Sequence, residues 1–298
     1  MKILLQFPEG LKKEAIRYAD RYRKEGHEII LSASACYGGC DLAFDEARAV
    51  GAEKIVHFGH APFLRSTPIP VEYVEWHENV NLENIAKAAK KIKEKKLALA
   101  TTVQHIHQLN EIKKIFEKEG KEVLIGKGSF TAYEGQILGC DFGAIVNNKA
   151  EAAVIVASGR FHAAGAFVGY PVYSVHPQTG ETENLAKDLE KAKKTRKAAI
   201  LKALEARNFG VLVSTKPGQF RLSLANEIAK KIRLHGRNAE VIVANELNAG
   251  AINNFMFDAL INTACPRIAD DRESYDVPVI NADCVDELFK LWADLKRA

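Results

Sequence analysis

The sequence of 298 residues predicts an α/β protein of three similar small domains, each built on a parallel sheet. The same pattern occurs three times: a short apolar strand, an amphipathic helix that ends at a glycine, and a second apolar strand. The copies start near residues 2, 97 and 209. Parallel strands joined by a helix form a right-handed crossover unit. We expect the three domains to be arranged around a pseudo-threefold axis.

The same features predict the strands and helices of each copy. The apolar runs KILLQ, LALAT and FGVLVS are typical of strands that are buried on both faces of a parallel sheet. The helices that follow carry apolar stripes, for example Leu109, Ile112 and Phe116 in the second copy. Each helix ends at a glycine suited to a left-handed C-cap, namely Gly26, Gly120 and Gly236. The polar turn between each first strand and its helix contains a glutamine, namely Gln6, Gln104 and Gln219.

Two lysine-rich stretches, 81–96 and 181–208, lie between the copies and are interpreted as solvated linker helices. The expected domains are therefore 1–95, which contains Cys40, 96–207, which contains Cys140, and 208–298, which contains Cys265.

Composition indicates an ordinary soluble globular protein. The 42 basic and 38 acidic residues give a net charge of +4, too balanced to favour a nucleic-acid surface. No apolar run approaches the roughly 18 residues of a membrane span. Pro8 and Glu9 interrupt the apolar start, so we expect no signal peptide and a cytoplasmic location. Five cysteines in that compartment suggest metal binding, catalysis or simple burial rather than disulfides.

Three cysteines lie at comparable places in the copies. Cys40 and Cys140 both follow the second strand of their copy and both lie in a Gly-Cys-Asp sequence, whereas Cys265 follows a later strand. Ligand sites of open α/β sheets gather at this edge. Three thiolates at one point suit a 4Fe–4S cluster with one iron left open, or a three-cysteine zinc site. Cys36 and Cys284 have no counterparts and are expected to pack without binding the metal.

Several stretches together resemble the archaeal diphthamide synthase family, the 2-(3-amino-3-carboxypropyl)histidine synthases. They span residue 3 to about residue 284: QFPEGL, ACYGGCDLA, GQILGCDFGA, GRFH, STKPGQFRLSLA and NTACPRIADD. Two stretches depart from the family pattern, Ala157-Ser158 and HAPFLRSTPIP.

The resemblance implies a homodimer in which Cys40, Cys140 and Cys265 hold a 4Fe–4S cluster. S-adenosylmethionine (SAM) is the cosubstrate and an external donor supplies the electron. The implied reaction transfers the 3-amino-3-carboxypropyl group as a radical to C2 of a histidine imidazole in translation elongation factor 2, the first step of diphthamide biosynthesis. No catalytic side chain is assigned beyond the cluster.

Candidates for SAM binding lie in loop motifs: Gly159, Arg160, Gln219, Arg221 and Arg267. Arg267 is the first choice, because it follows Cys265 by two residues and a guanidinium pairs bidentately with a carboxylate. His60 and His162 are expected to have structural roles. The chain has no G-x-G-x-x-G or Walker loop, so no dinucleotide or nucleoside triphosphate site is predicted.

Two other functions share parts of this pattern. Quinolinate synthase also joins three similar domains around a three-cysteine cluster, where the open iron acts as a Lewis acid. A non-catalytic iron–sulfur scaffold or electron relay is the other alternative. ACPRIADD and GRFH favour the transferase.

Overall fold

The computed structural model describes residues 1–146, 149–159, 162, 163, 165–270, 274–295 and 297, apart from the side chain of Asp270. The α/β class is confirmed, with three sheets in which parallel pairing dominates. The chain forms two compact units, Met1–Leu189 and Glu190–Ala298. The first unit contains two sheets and the second contains the third. The sequence predicts domain boundaries after residues 95 and 207, and these boundaries remain a prediction.

The first sheet has the strand order β2-β1-β3-β4 and every pair in it is parallel. Its strands are β1 (Lys2–Gln6), β2 (Glu28–Leu31), β3 (Lys54–Phe58) and β4 (Val71–Val74). Helix α1 (Ala15–Lys24) follows a 3₁₀ turn at Glu9–Glu14, and helix α2 (Phe44–Ala49) precedes β3. Helix α3 (Leu82–Lys91) follows the sheet.

The second sheet has the order β6-β5-β7-β8-β9. Its strands are β5 (Lys96–Thr101), β6 (Glu122–Leu124), β7 (Ala152–Val156), β8 (Val172–Val175) and β9 (Thr182–Asn184). Only the β8–β9 pair among these described strands is antiparallel. The helices are α4 (Leu109–Lys118), after a 3₁₀ turn at Val103–Gln108, and α5 (Gly143–Val146); α6 (Ala186–Lys202) follows the sheet.

The third sheet repeats the order of the first, β11-β10-β12-β13, and is parallel. Its strands are β10 (Asn208–Ser214), β11 (Asn238–Ala244), β12 (Ala259–Asn262) and β13 (Val279–Asn281). Helices α7 (Leu222–Leu234), α8 (Ala249–Asn253) and α9 (Val285–Leu295) complete this part of the chain. Short 3₁₀ turns lie at Ala203–Glu205, Pro266–Asp270 and Ala282–Cys284.

The first strand of each sheet is buried on both faces, as the apolar runs predict. Ile3 and Leu5 pack in one core cluster while Leu4 packs in another. In β5, Leu97 and Leu99 pack in one cluster and Ala98 and Ala100 in another. In β10, Val211 and Val213 pack in one cluster and Leu212 in another. Successive side chains of a strand point to opposite faces, so a continuous apolar run is required wherever helices cover both faces.

Three glycines end α1, α4 and α7 in the same way. Gly26, Gly120 and Gly236 have φ angles of +87°, +75° and +76°. Each donates its N–H to the carbonyl three residues earlier. No heavy atom lies within 4 Å of a Cβ built on any of them, so the left-handed backbone conformation, not space, favours glycine. This confirms the predicted helix ends and turns the chain into the second strand of each copy.

The lysine-rich stretches form helices as expected, but neither α3 nor α6 is simply solvated, since both bury apolar side chains in core clusters. Ile85, Ala88 and Ala89 of α3 are buried in the core cluster that includes Leu97 and Leu99 of β5. The lysines occupy the other positions of this amphipathic helix. Among the described residues, no helix is long and apolar enough to cross a membrane.

Candidate metal centre

The three matching cysteines follow the carboxyl ends of parallel strands. Cys40 lies between β2 and α2, Cys140 between β6 and α5, and Cys265 after β12. Cys140 is exposed, and Cys40 and Cys265 are half-buried. Their sulfurs are therefore placed in loops, not in the apolar core. Cys36, in contrast, is buried.

The Cys40 loop is tied to β1 by a buried glutamine. Gln6 Nε2 donates to the carbonyl of Asp41 at 2.7 Å, and Gln6 Oε1 accepts from the N–H of Ala43 at 3.2 Å. Gly39 allows this loop to lie close to the segment that follows β3, since a Cβ there would come 2.7 Å from the carbonyl oxygen of Ala61. The two bonds fix the backbone on the C-terminal side of Cys40.

Cys140 lies in a tight turn. Leu138 and Asp141 exchange backbone hydrogen bonds at 3.0 and 3.1 Å, which places Cys140 at the tip. The buried Asp141 carboxylate accepts from the N–H groups of Phe130 at 2.6 Å and Gly143 at 2.9 Å. A Cβ on Gly128 would lie 2.5 Å from Asp141 Oδ2. The carboxylate therefore holds the turn against the neighbouring loop.

Two buried asparagines hold the Cys265 loop. Asn262 Nδ2 donates to the Cys265 carbonyl at 2.8 Å and to Asn281 Oδ1 at 2.7 Å. Asn262 Oδ1 accepts from the N–H of Ala264 at 3.0 Å, and Asn281 Nδ2 donates to the Pro266 carbonyl at 2.9 Å. Hydrogen bonds in such a buried network are costly to break, because each lost partner leaves a polar group without water.

Sequence reasoning missed these anchors. Gln6 is one of three matching turn glutamines in the sequence, yet the three make different hydrogen bonds. Gln104 Oε1 accepts from the Thr102 hydroxyl at 2.6 Å, and Gln219 donates its backbone N–H to the Lys216 carbonyl at 2.9 Å. The repeated Gly-Cys-Asp sequence was the available signal for Asp41 and Asp141.

The surroundings of Cys40 and Cys36 perturb three titratable groups. Burial raises the pKa of Tyr73, and the charge of Cys40 adds to the effect. Burial lowers the pKa of His57 to about 3, with a contribution from His60. Burial, aided by His162, lowers the pKa of His60 to about 4 against a hydrogen bond to the backbone of Phe58. Both imidazoles are neutral at pH 7.

Three of the five SAM candidates lie after neighbouring parallel strands of the third sheet. Gln219 is buried in the turn after β10, and the exposed Arg221 directly precedes α7. Arg267 is half-buried in the 3₁₀ turn that follows β12, which pairs with β10. Gly159, with φ +76°, is exposed in the bend after β7. Arg160 lies outside the described residues.

Lys216 is a further cation at this edge that sequence reasoning did not single out. It lies in the same turn as Gln219 and is buried, and its Nζ donates to Glu246 Oε1 at 2.7 Å. Glu246 thus holds this buried side chain in an ion pair.

The donor set fits an iron–sulfur group. Soft thiolates are the donors that iron–sulfur clusters require, and the three cysteines are held at loop positions with hydrogen-bonded backbones.

Comparisons with known proteins agree on one family. A family model described as "Putative diphthamide synthesis protein" matches residues 7–285. The 2-(3-amino-3-carboxypropyl)histidine synthase of Pyrococcus horikoshii is 36% identical over 97% of this chain and 86% of its own length. That of Methanocaldococcus jannaschii is 27% identical over 98% and 84%. The crystal structure of Dph2 from Pyrococcus horikoshii with a 4Fe–4S cluster superposes with a TM-score of 0.89, at 35% identity, covering 97% of this chain and 86% of that one.

Proposed function

This chain belongs to the diphthamide synthesis protein family, and on that premise we propose that it transfers the 3-amino-3-carboxypropyl group from SAM to C2 of a histidine imidazole in translation elongation factor 2. The enzyme is a transferase. The observation that carries the proposal is the set of three cysteines on anchored loops, in a chain that resembles a 4Fe–4S protein along 97% of its length.

Cys40, Cys140 and Cys265 would hold the 4Fe–4S cluster. When bound, such a cluster supplies one electron and an open iron at which the amino and carboxylate groups of SAM can be held. The orientation of the bound SAM then decides which of its carbon–sulfur bonds breaks. An external donor provides the electron, and the protein acts as a cytoplasmic homodimer.

Three side chains contribute to the site by holding the cysteine loops in position. Gln6, Asp141 and Asn262 keep the three cysteine loops in place before any ligand arrives, so the entropy of ordering these loops is lost on folding and not on binding. These hydrogen bonds also restrict how far each sulfur can move.

Arg267 and Gln219 are proposed to receive the SAM carboxylate. A guanidinium donates two parallel hydrogen bonds to a carboxylate, whereas the ammonium of Lys216 already pairs with Glu246. Arg267→Lys should raise the KM for SAM roughly tenfold to a hundredfold, as expected for loss of a charge-assisted bidentate pair, while iron content stays unchanged. An unaltered KM would remove Arg267 from the site.

The activity is tested under anaerobic conditions. The chain is reconstituted with iron and sulfide, reduced with dithionite, and incubated with SAM in the presence or absence of elongation factor 2. Methylthioadenosine, together with a mass gain of one 3-amino-3-carboxypropyl group on the factor, supports the transferase. Formation of 5′-deoxyadenosine alone, or no cleavage of SAM, contradicts it. Dehydration and condensation to quinolinate by the same preparation would support the quinolinate-synthase-like alternative.

A further inference from the structure

We propose that Cys36, His57 and His60 form a second metal site, for a zinc-type divalent ion, that is separate from the cluster. The Cys36 sulfur and one ring nitrogen of each histidine lie within 4.8 Å of one another. The three residues come from two segments that the first sheet places side by side, the loop after β2 and the end of β3.

The donor types and their burial suit such an ion. A thiolate with two imidazoles is a donor set typical of zinc and of copper, and it differs from the all-thiolate set proposed for the cluster. Cys36 and His57 are buried, with 5% and 0% of their surface exposed. His60 is half-buried, which gives an ion a route into the site from solvent.

The orientation of His57 is fixed by a neighbouring amide. Gln6 Nε2 donates to the Asp41 carbonyl, so Gln6 Oε1 is the end that faces Ala43 and His57. Oε1 lies 2.9 Å from His57 Nδ1, which must therefore be the protonated nitrogen. His57 Nε2 then carries a lone pair. Metal-binding histidines commonly donate their second ring N–H to a carbonyl in this way.

The spacing of the two imidazoles is close to that of a metal site. His57 Nε2 lies 3.0 Å from His60 Nδ1, and without an ion a proton lies between them. Two imidazole nitrogens bound tetrahedrally to zinc at about 2.05 Å lie roughly 3.3 Å apart. An ion can thus replace that proton with a small movement of the rings. His60 then takes the tautomer protonated at Nε2, the Cys36 thiol releases its proton, and water completes the tetrahedron.

A metal here would have a structural consequence. Cys36 and Cys40 lie in the same loop, so the ion would cross-link that loop to β3 through His57. Gln6 already connects the same two regions by hydrogen bonds. The site would add a metal bridge to this connection without contributing a ligand to the cluster.

Cobalt(II) provides the test, because its spectrum reports both tetrahedral geometry and a bound thiolate. The full chain with Cys40, Cys140 and Cys265 replaced by alanine is titrated with Co²⁺, so that the proposed cluster ligands cannot bind it. We expect one Co²⁺ per chain, intense visible d–d bands and a thiolate-to-cobalt charge-transfer band. Adding Cys36→Ser should abolish the charge-transfer band. Adding Cys284→Ser, the matched control, should leave it unchanged.

A second measurement does not depend on the folding of a multiple variant. The wild-type chain and its Cys36→Ser variant, both with the cluster reconstituted, are incubated with Zn²⁺, desalted and measured for zinc by mass spectrometry. We expect one zinc per chain in the wild type and its loss in the variant, with equal iron in both. Equal zinc in both proteins, or no tight metal in either experiment, overturns the proposal. SAM cleavage is not the readout, so failure here is distinct from failure of the proposed transferase.

Discussion

Lowering the pH from 7 to 5 should destabilise the folded chain through two neighbouring side chains, the buried His57 and the half-buried His60. Both side chains have folded-state pKa values far below the ordinary value for histidine, about 3 and about 4, because burial penalises the charged ring. The described groups next to the pair include Cys36, Gln6, His162 and Tyr73, whose ring packs edge-on against His57. None of these described neighbours is a carboxylate that would favour a charged imidazole.

The unfolding free energy falls as the pH falls because the unfolded chain binds protons at a higher pH than the folded chain does. In the unfolded chain both rings titrate near about 6.5, so they are mostly protonated at pH 5, whereas the folded chain keeps them neutral until the pH falls towards 4. Their contribution to stability is therefore complete above about pH 6.5 and is lost as the pH falls. Between pH 7 and 5 each ring contributes a loss of about 2 kcal/mol, or about 4 kcal/mol for the pair.

The assay is urea unfolding followed by circular dichroism at pH 7 and pH 5, in EDTA so that no metal holds the rings. His57→Asn keeps an N–H in place for Gln6 and removes one titrating ring, so the change in unfolding free energy between the two pH values should shrink by about 2 kcal/mol. His77→Asn, which replaces an exposed histidine, is the control and should retain the wild-type change. If His57→Asn leaves the wild-type pH dependence intact, His57 does not contribute to it.

Two further substitutions test the anchors of the cysteine loops. Asn262→Ala removes three hydrogen bonds around Cys265 and should lower the unfolding free energy by about 2 to 4 kcal/mol. Urea unfolding measures this loss, and iron content shows whether the cluster still forms. The control is Asn254→Ala, which replaces an exposed asparagine, and a loss under about 0.5 kcal/mol for Asn262→Ala would contradict the prediction. Gly128→Ala places a Cβ 2.5 Å from Asp141 Oδ2 and should cost about 1 to 3 kcal/mol and reduce iron uptake. Its matched control is Gly10→Ala, where a Cβ meets nothing within 4 Å, and equal behaviour of the two variants would show that Asp141 does not hold the turn.

The elements could be predicted from the sequence because their signals are local. Apolar runs mark β1, β5 and β10, and each helix stripe and terminal glycine lies within a few residues of the strand it serves. The order of strand, helix and second strand in each copy also predicts that Cys40 and Cys140 lie in loops after strands.

The anchors of the candidate site could not be predicted, since they join residues that are distant in sequence. Gln6 bonds to Asp41, and Asn262 bonds to Asn281, only because parallel strands bring their ends together. The buried face of α3 was missed for a related reason. Its lysines are visible in the sequence, but the core that receives Ile85 is formed by another part of the chain.

We propose that one 4Fe–4S cluster is held by Cys40, Cys140 and Cys265. Iron and acid-labile sulfide per chain, with the electron paramagnetic resonance of the reduced protein, test it in five anaerobically reconstituted variants: Cys36→Ala, Cys40→Ala, Cys140→Ala, Cys265→Ala and Cys284→Ala. We predict about four irons per chain in the wild type, loss of the cluster with substitution at Cys40, Cys140 or Cys265, and retention at the other two positions. A full cluster in Cys140→Ala, or its loss in Cys36→Ala alone, would contradict the account.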